Sequence, residues 1–453
     1  MTIERVLIVS SPTCEKDKTQ AGVVYLATVL KDLGLEFDLL DLSGTIDYFD
    51  PPEEFFSPCD SEFWRSSRIF SDFTWLDQHL PTTYAEYDAV FYSSLFSPDI
   101  LIQGRHALNQ KHHFPNSLCI VGGSALSCLD DQQLSVVTSI FDFVCTGYDI
   151  REMISAILQE KPRLPKSGVG KHIRTNGNVF VQPDYRLVDV RRFVTSYSGH
   201  GCEWGKCRFC NSSLNCGIFC RPIPELIDEI EQLAGLNGMV KDVMLSSDSF
   251  TEDYLTSLAS SLSDRKSKVP YNVMLRGERW VSNGLGDKLR KSGCSDVFIG
   301  AEALCDEILS VMNKGLNTSS ILNAIKALSS HVQVILGLIL FVPGVTEKQL
   351  NEQLQNIEKI LPHVSAIEPE ILTVIQRTEF AKEPGRYGIQ LWAKEKAVND
   401  SWCYGLSPDI PWTFTSDRDA RTWFRYYEKL RRLTQGFVEP HYWDSIDEVQ
   451  SRF

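Results

Sequence analysis

The stretch Ser196-Tyr-Ser-Gly-His-Gly-Cys-Glu-Trp-Gly-Lys-Cys-Arg-Phe-Cys-Asn211 sets Cys202, Cys207 and Cys210 in a C-x4-C-x2-C triplet. It continues from Arg191-Arg-Phe-Val-Thr-Ser-Tyr197, which reads as a strand. Three thiolates on a tight, glycine-bearing loop can hold three irons of a 4Fe–4S cube and leave the fourth iron open. An open iron adds nothing to plain electron transfer, but it can accept a small chelating molecule. Two other readings fit the same triplet. Zinc wants four ligands, and Cys216 and Cys220 lie within sequence reach to complete the set. Free cysteine is also a common core residue, so buried thiols without a metal are the third reading.

Outward from the triplet, strand and helix patterns alternate. Helical spacing covers Ile223–Leu233, Glu252–Leu262, Gly284–Lys291, Asp306–Met312, Thr318–Ser329 and Glu347–Ile360. Strands are expected at Val240–Leu245, Tyr271–Leu275, Val297–Gly300, Val332–Leu340 and Ala366–Leu372. With the strand before the triplet this makes six β/α units, a partial TIM-type barrel whose chemistry belongs at the strands' carboxyl mouth. The polar outliers fall at that mouth: Asp248, Arg276 with Glu278, and Glu302.

Before the triplet a second alternation runs from the amino terminus. Arg5–Ser10, Leu35–Leu42, Tyr87–Ser93, Leu118–Val121 and Phe141–Cys145 read as strands, and Gln20–Leu33, Asp99–Asn109 and Asp130–Thr138 as helices. This pattern predicts a doubly wound parallel sheet, with ligands beyond the strand ends. Gly122-Gly123 and Gly147 stand at two of those ends, where a missing Cβ lets a flat cofactor approach, although Gly122-Gly123 taken alone reads as a turn. Ser43–Leu80 reads as an irregular excursion, and its His79, lacking partner ligands in sequence, as a packing or surface residue. Glu160–Asp184, rich in Pro and Gly, reads as a linker or hairpin. From about Phe380 the chain turns aromatic, with Trp392, Trp402, Trp412, Trp423 and Trp443 and a helix over Arg418–Gln435. That section either caps the barrel or packs as a small subdomain.

The 453 residues are 43% hydrophobic and 23% charged, the composition of an ordinary globular protein. No apolar run approaches the roughly 18 residues of a membrane span. Thirteen cysteines without a secretory leader point to a reducing compartment, the cytoplasm. A formal charge of −14 counts against a broad nucleic-acid surface.

Taken together, these residues resemble the radical S-adenosylmethionine superfamily, in its class with an amino-terminal cobalamin (B12)-binding domain. The resemblance spans about residues 3–375. Val6-Leu-Ile-Val9, Gly22-Val-Val-Tyr-Leu-Ala27, Gly122-Gly123 and Phe143-Val-Cys-Thr-Gly147 are similar to the first domain of that class. The triplet with Phe209, Ser247-Asp248-Ser-Phe250, Val297-Phe-Ile-Gly-Ala-Glu302 with Met312-Asn-Lys314, and Ile335-Leu-Gly337 with Pro343-Gly344 are similar to its barrel. Two features depart from the pattern. The first gap of the triplet is one residue longer than the usual C-x3-C-x2-C, and no D-x-H-x-x-G follows the first strand to offer cobalt a histidine.

The resemblance implies residues 1–160 as a cobalamin-binding Rossmann-like domain, 161–190 as a linker, 191–379 as the radical barrel and 380–453 as a carboxyl-terminal subdomain. It implies Cys202, Cys207 and Cys210 as ligands of a 4Fe–4S cluster. Asp248, Arg276 and Glu302 would contact S-adenosylmethionine, with Arg276 on its carboxylate. Gly122, Gly123 and Gly147 would lie against cobalamin. Tyr197, Trp204 and Trp280 would pack near the adenine or the corrin. The implied activity is radical methylation of an unactivated carbon in a small-molecule or peptide precursor, fed by an external donor of flavodoxin or ferredoxin type. Rivals are a radical rearrangement, cyclisation or ring contraction, a tRNA methylthiolating enzyme (which the acidic balance opposes), and a zinc-stabilised binding protein.

Overall fold

A computed structural model of the chain describes residues 3–45, 66–127, 129–160, 170–175, 180–212, 218–236, 238–265, 269–391, 409–410 and 412–443. They form two compact units, divided between Arg192 and Phe193.

In the first unit, Arg5–Val9 (β1) buries its last four residues in a row, as a strand covered on both faces must. It is followed by Ala21–Asp32 (α1), Glu36–Leu40 (β2), Ala89–Ser93 (β3), Ser97–His113 (α2), Leu118–Gly122 (β4), Asp131–Thr138 (α3), Phe143–Thr146 (β5) and Ile150–Glu160 (α4). The strands pair in parallel in the order β2-β1-β3-β4-β5, the flavodoxin-like winding, with its ligand crevice beyond the β1 and β3 ends. Successive side chains leave the sheet on opposite faces. Leu7, Val9, Val90 and Val121 enter one core, and Val6, Ile8, Phe91 and Ile120 the other. Each such side chain contributes about 1.5–3 kcal/mol of burial.

The stretch 161–190, expected as a linker, departs from that expectation where it is described. Lys171–Arg174 (β6) adds a sixth strand parallel to β5. Its Lys-His-Ile-Arg sequence shows no apolar alternation because it lies at the sheet's edge and buries little. Gly170 admits it, since a Cβ there would stand 1.8 Å from the Phe141 carbonyl oxygen. Within the excursion, Arg68–Asp72 is helical and Thr74–His79 a 3-10 turn, bringing Ile69, Phe70 and Leu76 into the core. His79 sits edge-on to Trp75 at 5.9 Å, a packing position.

The second unit runs Phe193–Tyr197 (β7), Ile223–Ala234 (α5), Asp242–Ser246 (β8), Glu252–Ser263 (α6), Tyr271–Leu275 (β9), Leu285–Ser292 (α7), Cys294–Glu302 (β10), Asp306–Val311 (α8), Thr318–Ser329 (α9), Gln333–Leu340 (β11), Glu347–Ile360 (α10) and Ala366–Ile371 (β12). Its six strands are parallel and neighbour one another in chain order. Val243, Leu245, Val297, Ile299, Val334 and Leu336 are buried on the helix-covered face. The inward face is partly open and far more polar, carrying Asn272, Asp296, Glu302 and Glu368. Side chains of Thr251, Asn317 and Thr346 accept backbone N–H groups at the starts of α6, α9 and α10, each worth about 1 kcal/mol.

Of the aromatic tail, Ile389–Leu391 (β13) pairs antiparallel with Trp412–Phe414 (β14), and Asp417–Leu433 forms α11. Trp423 Nε1 donates to the Val342 carbonyl (2.7 Å) and Gln353 Nε2 donates to the Tyr426 hydroxyl (2.6 Å). The second bond lays α11 along α10, and the first ties α11 to the segment just past the β11 end. Trp392 and Trp402 lie outside the described residues. No helix among the described residues is long and apolar enough to cross a membrane.

Candidate metal centre

The loop after β7 is bolted down on both sides of its cysteines. Asp248, just past the β8 end, accepts the Gly201 N–H at 2.7 Å. Trp204 Nε1 donates to the Asn313 carbonyl (2.7 Å), and Asn313 Nδ2 returns a bond to the Lys206 carbonyl (2.7 Å). Arg208 donates from its backbone to Met312, and from its guanidinium to the Ser310 and Val311 carbonyls and to Glu379 (3.0 Å). These bonds hold the loop to the turn after α8, where Asn313 takes a left-handed φ of 51°. The three cysteines are thereby fixed as free, half-buried thiols.

Their three sulfurs do not gather within 4.8 Å of one another. One tetrahedral zinc needs sulfurs about 3.8 Å apart, from Zn–S bonds near 2.3 Å. The wider placement suits a cube whose corners are separate irons. Cys220 pairs through its backbone with Gly199 in a short antiparallel bridge, and burial raises its thiol pKa. Cys216 lies outside the described residues.

Arg276, past the β9 end, is 9% exposed and spends its guanidinium within the protein. Nε donates to Glu278 (2.8 Å), Nη2 to the Lys314 carbonyl (2.7 Å), and Nη1 points at Cys207 Sγ from 3.8 Å. Burial raises the Cys207 pKa, and the nearby Lys314 and Arg276 charges oppose that rise. Glu302 ends β10 with a left-handed φ of 65° and pairs with Lys314 Nζ at 2.8 Å, the two side chains 16% and 6% exposed. A left-handed backbone at a residue other than glycine costs about 1–3 kcal/mol, and here the buried ion pair holds it.

Gly315 is required by the same turn. Its φ is 71°, and a Cβ would stand 2.4 Å from the Trp204 ring. Gly315→Val is therefore expected to push Trp204 off Asn313 and lower stability by about 2–3 kcal/mol. Thermal melting reads the loss, and fluorescence of the displaced indole locates it.

A cavity of about 240 Å³ opens beside the loop, lined among others by Phe209, Phe298, Glu302, Gly337, Glu368 and Glu370. Phe209 comes from the triplet itself. Glu368 and Glu370 were not singled out from the sequence, although two carboxylates at period two in a barrel strand are a legible sign of a polar interior. Glu370 keeps a path to solvent yet is ringed by protein, and burial, then Glu368, raises its pKa to about 7 from 4.5. Below pH 4.5 both folded and unfolded chains hold this proton. Between 4.5 and 7 only the folded chain does, so the group costs stability increasingly as pH rises through that window. Glu370→Gln is expected to match the parent's denaturation midpoint at pH 4 and exceed it at pH 8.

Trp280 is half-buried on the 3-10 turn after β9, and Tyr197 bonds the His200 ring. In the first unit, Gly123 and Gly147 have φ of 122° and 118°. A Cβ on either would meet backbone oxygen, of Ser94 at 2.1 Å and of Thr175 at 2.4 Å, so chain-to-chain packing already demands glycine there. Gly122 has only ordinary contacts, to Cys145 at 3.6 Å. At the same carboxyl edge Asp99, fully buried, accepts bonds from Ser11, Thr13, Leu95 and Phe96 and so fixes the loops after β1 and β3. Past the same strand ends, Leu95 and Phe96 after β3 and Tyr148 after β5 are exposed large apolar or aromatic residues.

Residues 196–356 match the model of the radical SAM superfamily. The fold is similar to that of the radical S-adenosylmethionine methyltransferase TsrM from Kitasatospora setae, solved with cobalamin and a 4Fe–4S cluster. That match has a TM-score of 0.64 at 12% identity, covering 96% of this chain and 91% of the other. The form of TsrM with tryptophan substrate and aza-SAM gives 0.67 at 13% identity over the same shares. OxsB, a cobalamin-dependent S-adenosylmethionine radical enzyme solved with aqua-cobalamin and S-adenosylmethionine, gives 0.67 at 13%, covering 96% of this chain and 67% of its own. No curated protein matches the sequence.

Proposed function

From the premise that residues 196–356 are a radical SAM domain, we propose that the chain is a cobalamin-dependent radical enzyme that methylates an unactivated carbon of a small-molecule or peptide substrate. The observation that carries this reading is the triplet: three half-buried thiols, none in a disulfide, held at a barrel mouth within that domain. Cys202, Cys207 and Cys210 would hold three irons. When bound, the cluster supplies the electron that cleaves S-adenosylmethionine, and cobalamin supplies the methyl carrier.

The protein's own part is positioning. Asp248 holds the loop through Gly201, and Lys314 holds Glu302 facing the cavity. Phe209 and Phe298 give that cavity apolar walls, which limit water near a reactive carbon. On the first unit, Leu95, Phe96 and Tyr148 would floor the corrin. Of the histidines near that edge, His106 is buried on Tyr92, and His172 bonds the Thr146 hydroxyl at the carboxyl end of β5. An external one-electron donor and a cytoplasmic setting complete the reading.

Anaerobic reconstitution tests it. The expected protein carries about four irons and one cobalamin per chain. With reductant and methyl-labelled S-adenosylmethionine it gives 5′-deoxyadenosine and passes label to a candidate substrate. Zinc without iron would end the proposal. A second reading keeps cobalamin-dependent radical chemistry without methyl transfer, since the fold is equally like that of OxsB, which is described as a cobalamin-dependent S-adenosylmethionine radical enzyme and not as a methyltransferase. Deoxyadenosine formed with substrate turned over but unlabelled selects it.

A further inference from the structure

We propose that Arg276 acts on the cluster's Cys207 corner and raises the reduction potential there, rather than gripping the carboxylate of S-adenosylmethionine. This rests on the 4Fe–4S reading above. A guanidinium binds a carboxylate through a free fork of N–H groups. Here the fork is committed: Nε to Glu278, Nη2 to the Lys314 carbonyl, and Nη1 aimed at Cys207 Sγ. The Trp204 ring closes one side, 5.9 Å from the guanidinium carbon. Trp204 is itself tied to Asn313, and Gly315 makes room for its ring. The cation therefore cannot swing away without breaking its 2.8 Å bond to Glu278 and the 2.7 Å bond that fixes the turn carrying Lys314.

What such a group does to an iron–sulfur unit follows from charge. Taking up one electron from the external donor makes the cluster more negative, and a fixed cation with an N–H aimed at a ligand sulfur favours that state. Lys314 is the second cation near Cys207, but Glu302 balances it at 2.8 Å. Glu278 partly balances Arg276 in the same way, so the two residues of the Arg276–Glu278 pair pull the potential in opposite directions.

The test is a redox titration followed by electron paramagnetic resonance, on the reconstituted full chain without S-adenosylmethionine. Arg276→Gln is expected to move the midpoint negative by about 59 mV, a tenfold change in a one-electron equilibrium. Arg276→Lys moves it less, and Glu278→Gln moves it positive. Opposite signs within one pair separate tuning from damage, which would degrade iron content in every variant. An unshifted midpoint in Arg276→Gln, with S-adenosylmethionine binding weakened tenfold or more, overturns the proposal and returns Arg276 to the carboxylate. A parent chain that assembles no four-iron cluster is seen by iron analysis before any titration, and overturns the underlying reading with it.

Discussion

Alanine at any one of Cys202, Cys207 or Cys210 is expected to reduce bound iron from about four per chain to less than about one, and to abolish reductive cleavage of S-adenosylmethionine. A cube held by only three protein ligands has none to spare. Alanine at Cys220 is expected to leave both quantities at the parent level, because its backbone is held against Gly199 in a strand bridge outside the loop that carries the triplet. The contrast is what distinguishes the readings. Under a zinc site completed by Cys220, all four substitutions would act alike. Iron and sulfide analysis with deoxyadenosine assay decides it, and iron loss in Cys220→Ala would sink the three-ligand assignment.

The largest expected loss of stability lies just beyond the triplet. Arg221 and Glu229 form an ion pair with both side chains 0% exposed. Arg221 also ties the segment after β7 to α6 through its backbone, donating to Ser198 at 2.9 Å and accepting from Tyr254 at 2.7 Å. Arg221→Met keeps those backbone bonds and most of the volume but withdraws the cation facing a buried carboxylate. Such a change costs about 3–5 kcal/mol. For a unit of this size that is a drop of roughly 6–20 °C in melting temperature. Replacing both partners, as Arg221→Met with Glu229→Leu, should recover most of the loss, since an apolar pair carries no desolvation penalty. A single variant melting within about 2 °C of the parent would show the pair to be energetically idle.

Both alternations were legible because the buried strands are short apolar runs bounded by glycine and polar residues, as at Arg5–Val9 and Gln333–Leu340. What was hidden has physical causes. Lys171–Arg174 buries too little to show a pattern, and its place depends on a glycine that admits the chain beside Phe141. At the centre, the spacing of the cysteines pointed to the chemistry but could not say what holds them. The Asn313–Lys206 and Arg208–Met312 bonds join positions over a hundred residues apart, which no local pattern carries. The role of Arg276 was hidden likewise. Its residue type suggests a carboxylate fork, whereas Glu278 and the Lys314 carbonyl, which already fill that fork, are apparent only in three dimensions.

Phe209 sits between two of the thiol ligands in the chain and also walls the cavity. Under the proposed ligation, iron held by Cys207 and Cys210 would therefore also brace one wall of the pocket. A ligand screen is then best run on reconstituted protein, where the wall and the groups behind it are assembled together.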